Sequence, residues 1–205
     1  MKNGIWSNIQ KFFPFIGLAT ILIVFSFLSG GRLWQLQNLQ SVLNTMIPIC
    51  LGGGGMIFVS AQGSTNMSMG STLALSGAIA GLVSNALGFW SFVPTALLVG
   101  LVVGIFNGVM VSKFKVSSLM VTLSMLIALR ALVTLLTSGQ PIFVDFAVLN
   151  FNNLPVKLPI FLGAMVILWY MFEHTKLGHF SRCMGENEMV GRFSGIPVDR
   201  YKIFA

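Results

Sequence analysis

The chain has 205 residues, of which 55% are hydrophobic and only 8% charged, with a mean hydropathy of +0.87. Soluble domains carry about 25% charged residues, so a water-soluble globular domain is excluded and an integral membrane protein is expected. The net charge of +7 is not arranged as a basic stripe interleaved with aromatics, so it does not point to nucleic acid.

Residues 1–11 are a short polar start with Lys2 and Lys11. Residues 12–28 are an uninterrupted apolar run, read as a retained first span because it exceeds the usual signal-peptide core of about 7–15 residues. Arg32 and an interfacial Trp34 mark the loop that follows. Residues 39–59 form the second span and hold Asn44, Pro48 and the glycine run Gly52 to Gly55. Four glycines allow either close backbone packing or a helix break inside a membrane. Residues 60–70 are polar but uncharged, which fits an ordinary loop or a re-entrant turn lining a pathway.

The third span, residues 71–87, is rich in Ala, Gly and Ser. The fourth, 92–111, carries Gly100, Gly104 and Gly108 on one face, a helix-packing pattern, with Asn107 near its end. Lys113 and Lys115 make a basic loop. The fifth span, 116–137, holds Thr122, Ser124 and Arg130. The two hydroxyls can bond their own backbone. An ionised Arg130 at membrane depth is costly, so it either snorkels to an interface or faces the protein interior, and interior placement is the expectation. A loop over 138–159 leads to a shorter sixth span, 160–172, ending at Trp169 and Tyr170.

About six spans of about 20 residues fit this length. The expected fold is therefore all-α, a polytopic helical bundle. With the N-terminus in the cytoplasm, Lys2, Lys11, Lys113, Lys115 and the five basic residues of the tail fall inside. Only Arg32 and Lys157 fall outside. That asymmetry places both termini in the cytoplasm. Cys50 lies in a span and Cys183 in the tail, so no disulfide is expected, and a cytosolic Cys183 stays reduced.

The tail, 174–205, concentrates charge, and within it 187–194 reads as one short capped helix. Asn187 suits the N-cap and Glu188 the positive end of the dipole. Gly195 suits a left-handed C′ position and Pro197 stops continuation. Met189, Val190 and Phe193 share a narrow face. Glu188 and Arg192 are an i,i+4 pair on the other side. Two helical turns are not stable alone, so this helix docks either on its own protein or on a partner.

No enzyme site is legible. His174 and His179 are five apart and read as solvated loop residues, and no intramembrane carboxylate pair is present for acid–base work. Metalloprotease, nucleophile-elbow, CxxC and phosphate-loop motifs are absent, and no metal site is expected. Without intramembrane Asp or Glu, a proton-coupled carrier is also disfavoured.

Three blocks resemble the permease subunits of bacterial ABC importers for sugars, the branch typified by ribose permease. They are Gln62–Ser71 with Leu73–Ala78, then Gly104–Gly108 with Val121–Leu123 and Arg130, then Gly185–Glu188 with Arg192–Ile196. Their order and spacing agree over roughly residues 52–205. Asn66 stands where that family usually has Asp, and Glu186 replaces a glycine. The family usually continues for several more spans, so 1–205 reads as one transmembrane permease domain, the N-terminal portion of a longer permease. Residues 174–205 would be its cytoplasmic coupling segment.

The resemblance implies a multi-pass protein of the bacterial inner membrane, in contact with lipid. It implies a second permease subunit, a periplasmic substrate-binding protein and a cytoplasmic ATPase that binds the ATP and Mg; this chain itself needs no cofactor. Coupling to the ATPase would use Gly185, Asn187, Glu188, Met189, Val190, Arg192, Phe193, Ser194, Gly195 and Ile196. Candidates for the translocation pathway are Ser64, Asn66, Ser68, Asn107, Thr122 and Arg130. The alternatives are a stand-alone facilitative carrier or channel, or a non-functional truncated permease.

Overall fold

The computed structural model describes residues 3–144, 148, 152–186, 188–195 and 197–204. The described elements are helical: α1 (Asn3–Leu28), α2 (Leu36–Ala61), α3 (Met69–Leu87), α4 (Phe92–Ser112), α5 (Ser118–Thr137), α6 (Leu154–His174), α7 (Lys176–Glu186), α8 (Glu188–Phe193) and α9 (Val198–Phe204). Five segments, Leu36–Ala61, Met69–Leu87, Phe89–Ser112, Ser118–Thr137 and Leu154–His174, are long and apolar enough to cross a membrane. Phe12–Leu28 is a shorter apolar helix. This is the polytopic helical bundle expected from the sequence.

The chain divides into two compact units, residues 1–46 and 47–205. In the first, α1 is followed by Gly30 and Gly31, both at positive φ, and then by a 3-10 turn, Arg32–Trp34. Trp34 Nε1 donates to Ser26 Oγ at 2.9 Å and closes that turn.

In the second unit, α3 packs along α4 and α5. Leu75, Val103 and Leu129 meet at the centre of these three helices, with Ile79, Val99, Met125 and Val133 around them. Helix α3 buries Ala78, Ala80, Gly81 and Ser84. Small side chains let backbones approach, which is how helices associate where lipid is as apolar as their own surface. The large apolar side chains of α4, α5 and α6 are mostly exposed, as a lipid-facing surface requires.

The glycine run does not break α2, which is continuous through Pro48 and Gly52 to Gly55. Of the two readings open in the sequence, close packing holds. A Cβ on Gly52 would meet the Met69 sulfur at 3.0 Å, and one on Gly54 would meet Leu168 at 3.1 Å. Phe58 and Phe172 then stack edge-to-face at 5.3 Å, joining the end of α2 to α6.

Other boundaries differ from the sequence reading. The sixth span begins at Leu154, not 160, because Pro155 sits in its first turn, where proline is tolerated, and Pro159 does not end it. The described residues of the tail hold three helices, α7 to α9, rather than one. His174 and His179 are exposed, as solvated residues should be, but stand on α6 and α7 rather than in a loop. The predicted cap Asn187 lies outside the described residues, whereas Gly195 has φ +80° as predicted.

The second unit has two distinct ends. At one, residues 62–68, the basic loop 113–117 and α7 to α9 come together through side-chain bonds such as Gln62 to Ser181 and Lys115 to Asp199. At the other, Ile142 and Val144 pack over Gly81, and Asn85 Nδ2 donates to the Phe143 carbonyl at 2.8 Å.

Candidate functional site

The polar connection 62–68 is folded against the bundle rather than left open. Its geometry begins at Gly63, φ +71°, which lets the chain leave α2 with Ser64 N–H donating to the Val59 carbonyl at 3.2 Å. Asn66 then makes a local turn, its Oδ1 accepting from Ser68 N–H at 3.0 Å and Ser68 Oγ–H at 2.9 Å. The Ser68 hydroxyl, fully buried, also accepts from Asn107 Nδ2 at 3.0 Å. Thr65 N–H donates to Ser118 Oγ at 3.3 Å. Thr122 Oγ1 donates to its own helix at the Ser118 carbonyl, 2.8 Å, and lies 3.4 Å from the Thr65 carbonyl. Five of the six pathway candidates, Ser64, Asn66, Ser68, Asn107 and Thr122, therefore converge.

A cavity of about 430 Å³ opens beside them. Ser64, Asn66, Asn107 and Thr122 line it, with apolar wall from Leu101 and Ile105. Ser68 stands behind that wall. Lys202, Ile203 and Phe204 of α9 line the same space. No sequence signal singled those three out, because they are near in space and far along the chain. The sixth candidate does not join them. Arg130 is exposed on α5, two helical turns from Thr122, so the interior placement expected for it is corrected. The acidic residue of the described spans, Glu173 near the end of α6, pairs with Arg182, and exposure leaves the Arg130 guanidinium free to reach an interface.

The predicted coupling residues form the neighbouring feature. On α8, Met189 is 66% exposed and Phe193 85% exposed. Ser194 and Gly195 are exposed as well. Val190 lies in α8, and Ile196 falls outside the described residues. Gly185 instead belongs to the fold: at the end of α7 its Cα presses on the Ala61 carbonyl so closely that no Cβ fits. Glu188 and Arg192 pair as expected, at 3.1 Å.

Glu188 and Arg192 also hold α9. Glu188 takes Lys202 at 2.6 Å, and Arg192 takes Asp199 at 2.6 Å. Asp199 takes Lys115 at 2.7 Å. The Arg192 guanidinium, and then the Lys115 ammonium, hold the Asp199 carboxyl down to about 2. The hydrogen bond from Lys202 lowers the Glu188 carboxyl. Asp199, first, and Glu188 raise the Arg192 guanidinium.

Among the described residues, no group of three His, Cys, Asp or Glu side chains could hold a metal ion. What this end of the bundle offers is a largely apolar cavity with a few amide and hydroxyl groups and Lys202 in its wall, and an exposed apolar helix face beside it.

Residues 38–205 match the family described as the permease component of branched-chain amino acid transport systems. The chain belongs to this family. It is 30% identical to the ribose import permease protein RbsC of Haemophilus influenzae over 201 residues, covering 93% of this chain and 62% of that protein. It is 32% identical to RbsC of Escherichia coli K12 over 216 residues, covering 97% and 64%. It is 28% identical to the galactofuranose transporter permease protein YtfT of E. coli over 199 residues, covering 88% and 57%. The chain thus spans a little under two thirds of the length of these relatives. They are transport permeases and not enzymes. Together with the apolar helices, the match makes this a multi-pass protein of the inner membrane. No solved structure matches the chain.

Proposed function

We propose that this chain is the membrane-spanning part of an ATP-driven importer that carries a sugar or sugar-like small polar solute inward. A separate ATPase subunit, which binds the ATP and Mg, engages α8. A second permease subunit completes the pathway, and a periplasmic binding protein delivers the solute. The observation that carries this reading is the position of Phe193, a large apolar side chain left 85% exposed on a six-residue helix at the basic end of the unit. A helix so short does not stand alone, and such an aromatic is the kind of anchor that fills a partner's pocket. Relatives whose names specify ribose, galactofuranose and L-arabinose support the solute class. The amide and hydroxyl groups set in the largely apolar cavity wall suit a small polyhydroxylated solute.

The test replaces Phe193→Ala and, separately, Gly195→Val in the chromosomal gene. Both variants are expected in the membrane at normal abundance, with solute uptake reduced at least about tenfold, as loss of a central anchor predicts. ATP hydrolysis should then run without transport. Normal uptake in both variants overturns the coupling reading. Uptake that survives depletion of ATP favours a stand-alone carrier instead.

A further inference from the structure

Helix α9 touches both features of the candidate site. On one side it is seated on α4, backbone to backbone: a Cβ on Gly108 would lie 2.8 Å from Ile203 Cα and 3.2 Å from the Ile203 carbonyl oxygen. Its last residues, Lys202, Ile203 and Phe204, line the cavity that also holds Asn66, Asn107 and Thr122. On the other side it takes the ion pairs of α8. Among the described residues, both ion pairs that α8 makes outside itself, Glu188 with Lys202 and Arg192 with Asp199, end on α9. Asp199 lies in the first turn of α9 and is held to the loop after α4 by Lys115. Lys202 lies in the last turn. Its side chain is only 13% exposed, with the stem in the cavity wall and the ammonium on Glu188.

We propose that the Glu188–Lys202 ion pair is the mechanical link by which displacement of α8 reaches the cavity, with α9 as the moving wall. The inference rests on the proposed function only in naming α8 as the element that a partner moves. A six-residue helix is held in place by its contacts rather than by its own hydrogen bonds, so motion of α8 passes to what it holds. The Arg192–Asp199 pair acts on the anchored end of α9. The Glu188–Lys202 pair acts on the end that borders the cavity. Gly108 gives Ile203 a flat seat without a side chain to lock it, which suits a small sliding displacement.

The test reads cavity access directly. In a Cys50→Ser, Cys183→Ser background, Ser64→Cys places a reporter thiol in the cavity wall, and a charged, membrane-impermeant maleimide is applied to inverted membrane vesicles. Lys202→Met and Glu188→Gln are each expected to speed labelling about fivefold, the size expected for a single partly exposed ion pair. The double variant should be no faster than either single one, since both remove the same contact. Lys202→Arg should keep the parent rate. If Glu188→Gln leaves the rate unchanged while Lys202→Met alters it, Lys202 is only cavity wall and the link is overturned. Multiplying effects, or no effect from either variant, overturn it as well. The labelling needs neither ATP nor solute, so its failure is separate from any failure of the importer reading, which uptake in Phe193→Ala decides.

Discussion

At the scale of single residues, the structure depends on the Ser68 hydroxyl. It donates to Asn66 and accepts from Asn107, so both of its hydrogen-bonding functions are used. Asn107 Oδ1 is already buried without a partner. Ser68→Ala would leave the Asn107 amide N–H groups without their acceptor as well. Hydrogen bonds inside membrane proteins average roughly 0.6 kcal/mol, but stranding a buried amide raises the cost toward roughly 1–3 kcal/mol. Ser68→Ala should therefore lower the midpoint of thermal unfolding in detergent, followed by tryptophan fluorescence. Asn66→Asp should hardly move it, because a carboxylate oxygen accepts from Ser68 as an amide oxygen does. Equal melting of Ser68→Ala and the parent would show that this relay supports nothing. The candidate residues were legible because polar groups are rare in these spans. That Asn66, Asn107 and Thr122 meet was not legible, since their meeting depends on how α3, α4 and α5 pack.

At the scale of elements, α8 and α9 are joined by charge, and this joint has a defined response to pH and salt. A carboxyl held below its ordinary value stabilises the fold above that ordinary value and loses the contribution as pH falls through the depressed one. For Asp199 that window runs from its unperturbed 3.8 down to about 2, and Glu188 is shifted in the same direction. Lowering the pH from neutral to about 5 should therefore leave hydrogen exchange in residues 188–204 unchanged after correction for intrinsic rates. Raising ionic strength to about 1 M, where the screening length is about 3 Å, should speed it. These partly exposed pairs are screened by water and ions. Opening of α9 near pH 5 would mean that other groups hold it. Helix α9 is hidden in the sequence because Pro197 reads first as a helix stop. Proline also starts helices, and here the Pro197 carbonyl accepts from Arg200 and Tyr201 N–H in the first turn of α9. Helix α7 was hidden by Gly178 and by its mixed charge, although Leu177, Phe180 and Met184 keep a helical spacing. The spans were legible throughout, because long apolar runs need no tertiary information. Their ends were displaced where prolines lie inside helices.

At the scale of the whole molecule, the two ends of the second unit differ in charge, and this predicts which side of the membrane each faces. Lys113, Lys115, Lys176, Arg182, Arg192, Arg200 and Lys202 all belong to the end that carries the cavity and α8. Lys157, near the start of α6, belongs to the other. Basic residues beside short loops are retained in the cytoplasm, which predicts that the cavity end is the cytoplasmic one and that residues 138–144 face outward. Native Cys183, half-buried on α7, should react with an impermeant maleimide only in inverted vesicles. With Cys50 and Cys183 replaced by serine, Gln140→Cys, at an exposed position, should react only in intact cells permeable through the outer membrane. If both thiols react from the same side, the charge argument fails for this chain. Helix α8 would then have no cytoplasmic ATPase to meet, and the coupling proposal would fall with it. If they react from opposite sides as stated, the cavity lies at the ATPase face, where a small shift of α9 would control release of solute to the cytoplasm rather than its capture from outside.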